Sequence, residues 1–212
     1  MNSAGNDIVA LTAIDVDRTR RPKFYSRIIS PAEQEFYSAQ LSKLIPFEHF
    51  VWLAWSVKES AYKFLKRFDP ELIFSPTKMA MDGLNFSGEC FEGTVRSGDH
   101  VLFSKSFIRQ DYIFSITNGE EDLSDIHCAI KKIGSSKPDD QSRAVRELLL
   151  RKLGHIFPES NLQIIKNPHG WPVIMREDEK LPIPVSFTHH GNFVAYTFQL
   201  SSASWKAHEE IL

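Results

Sequence analysis

The chain has 212 residues, 42% hydrophobic and 25% charged, with 25 Lys and Arg against 27 Asp and Glu for a net charge of -2. That length holds one large domain or two small ones without staples. The near-neutral balance gives no global field toward nucleic acid or an anionic membrane, so neither partner is expected. Two cysteines, Cys90 and Cys128, without Cys-x-x-Cys spacing argue against a disulfide framework or a thiolate zinc site; both read as buried small hydrophobes. No basic segment followed by an apolar core opens the chain, and no apolar run nears the ~20 residues needed to cross a bilayer. The expected compartment is the cytoplasm.

In chain order, Ile8 to Val16 is an apolar, β-branched run that reads as a buried strand, with Asp15 and Asp17 at its end. A basic loop, Arg18 to Lys23, follows. Ser30-Pro31-Ala32-Glu33 carries a helix start: Ser as N-cap, Pro in the first turn, Glu as the capping-box partner. That helix is expected to reach about Ser42. Pro46 opens a second helix, with Phe47, Phe50, Val51, Ala54, Trp55, Tyr62 and Leu65 on one apolar face and an end near Arg67. Strands are expected at about 72–81, 90–96, 100–108 and 111–118, with turns at Asp82-Gly83, Ser87-Gly88 and Ser97-Gly98-Asp99.

The polar, acidic stretch Asn118 to Asp125 is the best boundary. It divides the chain into residues 1–120 and 121–212. The second part starts with a strand, Ile126 to Ile133, then a helix from about Asp140 to Leu153 ended by Gly154. Short strands follow near 161–166, 172–175, 183–187 and 192–200. Both parts read as strand, helix, then several strands.

Asp15 and Asp17, two apart on a strand, point to one side, so both carboxylates can meet one cation. A solvated strand end paired to Arg18 or Arg20 is the plainer alternative. Glu59 and Lys63 are four apart on the second helix; as a simple ion pair they are worth ~0.2–0.5 kcal/mol.

Taken together, Ile14-Asp15-Val16-Asp17 and Trp55-Ser56-Val57-Lys58-Glu59-Ser60-Ala61-Tyr62-Lys63, with Asp15 and Glu59 separated by 44 positions, resemble the two signature blocks of the 4'-phosphopantetheinyl transferases. The likeness covers about residues 8–120. Ser142 to Arg151, His169-Gly170-Trp171-Pro172 and Ser186-Phe187-Thr188-His189-His190 resemble the Arg-rich helix, Gly-Lys-Pro turn and Ser-His-Ser strand of the surfactin-type, two-half enzymes. There those elements come first, so this chain reads as carrying the halves in permuted order.

The resemblance implies an α+β fold with pseudo-two-fold duplication, each half a helix-packed antiparallel sheet. It implies Mg²⁺-dependent transfer of the phosphopantetheine arm of coenzyme A to a serine of an acyl or peptidyl carrier protein, in fatty-acid or secondary-metabolite biosynthesis, by a monomer. It assigns Asp15, Asp17 and Glu59 to the metal; Glu59, Lys63 and Asp15 to catalysis; and Lys58, Lys63, Arg143 and His189 to coenzyme A. The basic loop is the expected docking patch for an acidic carrier helix. Ala13 stands where the family prefers Gly, Asp17 where Glu is commoner, Trp171 in place of the Lys of Gly-Lys-Pro, and His190 in place of the second Ser. These departures thin the nucleotide side and keep open an alternative, a catalytically weak relative that binds carrier or coenzyme A without efficient transfer.

Overall fold

The computed structural model describes residues 3–158 and 160–200. It is an α+β fold built of helices and antiparallel sheets. β1 (Gly5–Ala10) is followed by α1 (Val16–Thr19), α2 (Pro22–Tyr25), α3 (Pro31–Phe36) and the long α4 (Phe47–Leu65). A meander then returns through β2 (Met79–Ser87), β3 (Cys90–Ser97), β4 (His100–Ile108) and β5 (Tyr112–Asn118). These strands form a five-stranded sheet in the order β1-β5-β4-β3-β2.

The rest of the chain runs β6 (Ile126–Lys132), α5 (Pro138–Ile156), β7 (Leu162–Lys166), β8 (Pro172–Arg176), β9 (Glu179–Lys180), β10 (Val185–His190) and β11 (Phe193–Gln199). It makes two three-stranded sheets, β10-β11-β6 and β7-β8-β9. As β5 returns to pair with β1, β11 returns to pair with β6.

All six residues of β1 are buried, and alternation gives its two faces different partners. Val9 joins the core under α4, where Phe50, Val51, Leu53, Ala54, Val57, Ala61 and Phe64 pack on Val95, Leu102 and Ile113. Ile8 and Ala10 face the other way and join Phe114 and Ile116 against Phe193 and Ala195 of β11, a core between the sheets. α5 covers the second unit through Val145, Leu149 and Leu153. β1 approaches α4 closely at Gly5, where a Cβ would lie 1.9 Å from the Ser60 carbonyl oxygen. Only glycine fits there, and that approach fixes β1 against the helix.

Four expectations are corrected. The strand does not extend to Val16: β1 stops at Ala10, a 3₁₀ turn covers Leu11–Ala13, and Asp15 is the N-cap of α1. Its Oδ1 accepts from Arg18 N–H at 2.9 Å, and Thr19 Oγ1 donates to its carbonyl at 2.7 Å. Local capping by Asp outcompetes the extended run. The strand expected at 72–81 starts only at Met79, and Asp82-Gly83 is a register shift inside β2 rather than a turn between strands. Cys90 is buried, but Cys128 is exposed on β6.

The capping box forms as expected. Ser30 Oγ accepts from Glu33 N–H, and Glu33 Oε2 accepts from Ser30 N–H at 2.7 Å. The same carboxylate takes the Met81 N–H at 2.9 Å and the Lys58 ammonium at 2.8 Å, so one buried group ties α3, α4 and β2 together. Lys58 is 0% exposed and also donates to the Ile28 carbonyl at 2.7 Å. Burial pulls its pKa below the usual lysine range, with Glu33 opposing the shift. Lys58→Met leaves the Glu33 charge buried beside an apolar side chain. It is expected to cost roughly 3–5 kcal/mol, read as a lowered midpoint in urea unfolding.

Candidate functional site

The seam between the sheets opens into a cleft at β1, α4 and β10. One edge of β1 pairs with β5; among the described residues the other carries no strand. Side chains of β10 stand in for one. Thr188 Oγ1 accepts from Ile8 N–H at 3.2 Å, and His190 Nδ1 accepts from Ala10 N–H at 2.9 Å. Alternate N–H groups of β1 are thus satisfied without backbone pairing.

Asp7, on the α4 face of β1, sits at this point. Its Oδ1 accepts from Thr188 Oγ1 at 3.0 Å and from Lys63 Nζ at 3.0 Å. Lys63 also donates to the Asn6 carbonyl at 3.0 Å and lies 3.9 Å from Glu59 Oε1. One ammonium is therefore shared by two carboxylates from different elements. The Asp7 side chain is 8% exposed, and its Oδ2 is buried without a hydrogen-bond partner. Glu59 is 20% exposed. Burial raises its carboxyl pKa; Lys63 opposes the shift and Asp7 adds to it.

Asp7, Glu59 and Lys63 share a cleft of about 490 Å³ with Trp52, Trp55, Phe187, His189 and His190. Glu59, Lys63, Phe187 and His189 also line a second cleft, of about 410 Å³, that runs toward α5 and the β7-β8 turn. Its wall carries Lys66, Arg67, Arg146 and Lys166, so five Lys and Arg face one carboxylate. A third, of about 380 Å³, continues from Trp52, Trp55 and His190 to Phe24, Ile28 and Arg27.

Among the expected site residues, Glu59, Lys63 and His189 meet at the first two clefts. The others do not. Asp15 lies at the cap of α1 and lines the third cleft, and Asp17 is exposed in the first turn of α1. Asp15 and Asp17 share no strand, and among the described residues no three His, Cys, Asp or Glu gather as a metal cluster. Lys58 is sealed in the core with Glu33, since one position from Glu59 on a helix turns it about 100° away. Arg143 is exposed and paired with Asp140. Arg146, one turn on, reaches the second cleft and bonds Ser142.

Asp7, Lys66, Arg67, Arg146 and Lys166 were not singled out by the sequence reading. A lone acid next to an apolar run that becomes fully buried signals an obligatory partner, and that would have pointed to Asp7.

His190 stacks on Trp52 with ring centroids 6.4 Å apart. Burial holds its pKa down, with Asp7 opposing. Its Nδ1 must stay unprotonated to accept from Ala10. The stability it contributes is therefore complete above the ordinary histidine value of 6.5 and is lost as pH falls through the depressed folded value. Melting temperature should fall on acidification through that window in the wild type. His190→Asn, whose amide oxygen accepts at any pH, should flatten that fall; an unchanged slope would contradict the assignment.

Two carboxylates and a shared ammonium stand at the mouth of a cation-lined cleft, a donor set that suits a phosphate-bearing ligand. No helix among the described residues is long and apolar enough to cross a membrane. A search of curated proteins finds none that matches the chain. A family model, the 4'-phosphopantetheinyl transferase superfamily, matches residues 3–116, the segment carrying Asp7, Glu59 and Lys63. The match spans more than half of the sequence and reaches into every strand of the five-stranded sheet, and the chain accordingly belongs to the 4'-phosphopantetheinyl transferase superfamily.

Proposed function

We propose that the protein transfers the 4'-phosphopantetheine arm of coenzyme A to a serine of an acyl or peptidyl carrier protein, with Asp7, Glu59 and Lys63 at the reaction centre. The observation that carries this reading is the shared ammonium. Lys63 holds Asp7 and faces Glu59 where the cation-lined cleft meets the aromatic one.

The donor set fits Mg²⁺. This ion is usually held by one or two carboxylates and completed by substrate phosphates. Asp7 Oδ2 is buried and lacks a partner, and Glu59 opens onto the same cleft. Bound there, Mg²⁺ would neutralise charge on the pyrophosphate oxygens. The orphaned oxygen favours an enzyme over a binder, which has no use for an unpaired buried carboxylate oxygen.

In the reaction the carrier serine Oγ bonds to the phosphorus of the arm, and the phosphoanhydride bond breaks. The electron pair leaves with adenosine 3',5'-bisphosphate. Glu59, at the mouth of the same cleft, is placed to accept the serine proton, directly or through a water. Lys63 supplies fixed positive charge to the phosphoryl oxygens without reorganising, because two carboxylates and a carbonyl already hold it. His189, which lines both clefts beside Lys63, would contact coenzyme A.

The carrier approaches from the basic face of α1 and α2. Arg20 is engaged there by Glu48 at 3.0 Å, while Arg21 and Lys23 are exposed. The parallel between β1–β5 and β6–β11 pairing supports the duplicated, two-half reading, with halves at 1–120 and 121–212 in the permuted order. A single chain then supplies both walls of the cleft, and a monomer in the cytoplasm suffices.

The test is mass spectrometry of apo carrier proteins incubated with the enzyme, coenzyme A and Mg²⁺. Wild type should add one arm to a carrier, and Glu59→Gln should slow addition at least about 10²-fold. Equal rates would remove Glu59 from the reaction.

A further inference from the structure

We propose that Trp52 is a positioning residue for the carrier: its indole N–H anchors α1 and so holds the docking face at a fixed reach from the reaction centre. This inference rests on the transfer reading above and names a residue that acts through the placement of α1.

α1 is a single turn, Val16–Thr19, and a helix that short does not hold its own shape or place. Its buried residue is Thr19, 0% exposed. Trp52 Nε1–H donates to Thr19 Oγ1 at 3.0 Å, and the hydroxyl donates onward to the Asp15 carbonyl at 2.7 Å. The hydroxyl thus both accepts and donates, and the bond from Trp52 crosses 33 positions of sequence. One residue on, Arg20 Nε and Nη2 donate to both carboxylate oxygens of Glu48 at 3.0 to 3.1 Å. Arg20 therefore seats the turn, while Arg21 and Lys23 stay exposed on the face.

Both anchors stand on α4, in line with the reaction centre. Glu48, Trp52, Trp55, Glu59 and Lys63 follow at steps of four, three, four and four, which places them in one stripe along the helix. Trp52 precedes Glu59 by two turns, about 10 Å of helix axis. The indole fills the ground between the two regions. Phe24 of α2 lies 5.8 Å from it, Trp55 6.2 Å and His190 of β10 6.4 Å, centre to centre. Trp52, Trp55 and His190 line both the cleft at Asp7 and Glu59 and the one that reaches Phe24 and Arg27. A carrier seated on α1 and α2 meets the reaction centre across this indole. Filling that space needs only a ring, which phenylalanine also offers. The N–H to Thr19 is what a plain core residue lacks, and it separates anchoring from filling.

The test is steady-state transfer by wild type, Trp52→Phe, Thr19→Val and Thr19→Ser, with carrier and coenzyme A varied in turn. Trp52→Phe and Thr19→Val each remove the bond. Each should raise KM for the carrier about fivefold, with KM for coenzyme A held and kcat little changed. The double variant should be no worse than Thr19→Val alone, because both changes delete the same bond. Thr19→Ser keeps the hydroxyl and should keep the wild-type KM. An unchanged KM for the carrier, an equal rise for both substrates, or additive losses in the double variant would overturn the role. Hydrogen exchange of the amides at 16–20 separates the anchor from the transfer reaction. Faster exchange confined to that turn in Trp52→Phe and Thr19→Val supports the anchor even where no carrier is turned over. Unchanged exchange overturns it even if transfer proceeds.

Discussion

The free edge of β1 is the constraint on which the rest of the structure turns. A buried strand with one unpaired edge must satisfy its N–H groups, and here Thr188 and His190 of β10 do so. The two sheets are therefore joined by side chains rather than by a continuous ladder. A side-chain junction leaves space that backbone pairing would close, and the clefts open there. Thr188 links the two roles. Its hydroxyl accepts from the backbone of β1 and donates to Asp7, so the seam also orients a carboxylate at the cleft.

Electrostatics at that junction balance narrowly. Two carboxylates at the mouth of a cleft would repel, and Lys63 prevents this while staying partly exposed. The Asn6 carbonyl completes its hold, so the ammonium is fixed before any ligand arrives. Lys58, five positions earlier on the same helix, shows the opposite use of a lysine. Fully buried and saturated by Glu33 and Ile28, it braces the helix that carries Glu59 and Lys63. Gly5 acts in the same sense, because its missing side chain lets β1 lie close enough for Asp7 to reach Lys63.

What the sequence made legible was local. Ser30 and Glu33 sit at capping-box spacing, and the apolar face starting at Phe47 marks α4, so Glu59 and Lys63 could be placed on one helix face. The α+β class and most strands of the meander followed from alternation and turn residues. What stayed hidden depends on contacts far apart in the chain. Asp7 and Lys63 are 56 positions apart, and Thr188 is 181 from Asp7. Asp15 and Asp17 drew attention because they form a visible pair, yet an Asp three residues before an N–H it can cap is as good a helix start as a metal ligand. Lys58 and Arg143 were misplaced for a related reason. Spacing places a residue on a helix but does not say whether that face meets a core, a neighbouring acid or a cleft.

The central claim is that the carboxylate working with Glu59 is Asp7 on β1 and not Asp15 on α1. Binding of coenzyme A measured with and without Mg²⁺, for Asp7→Asn and Asp15→Asn side by side, tests it most directly. Asp7→Asn should abolish the Mg²⁺-dependent part of binding while Asp15→Asn retains it. Retention by Asp7→Asn with loss in Asp15→Asn would contradict the site described.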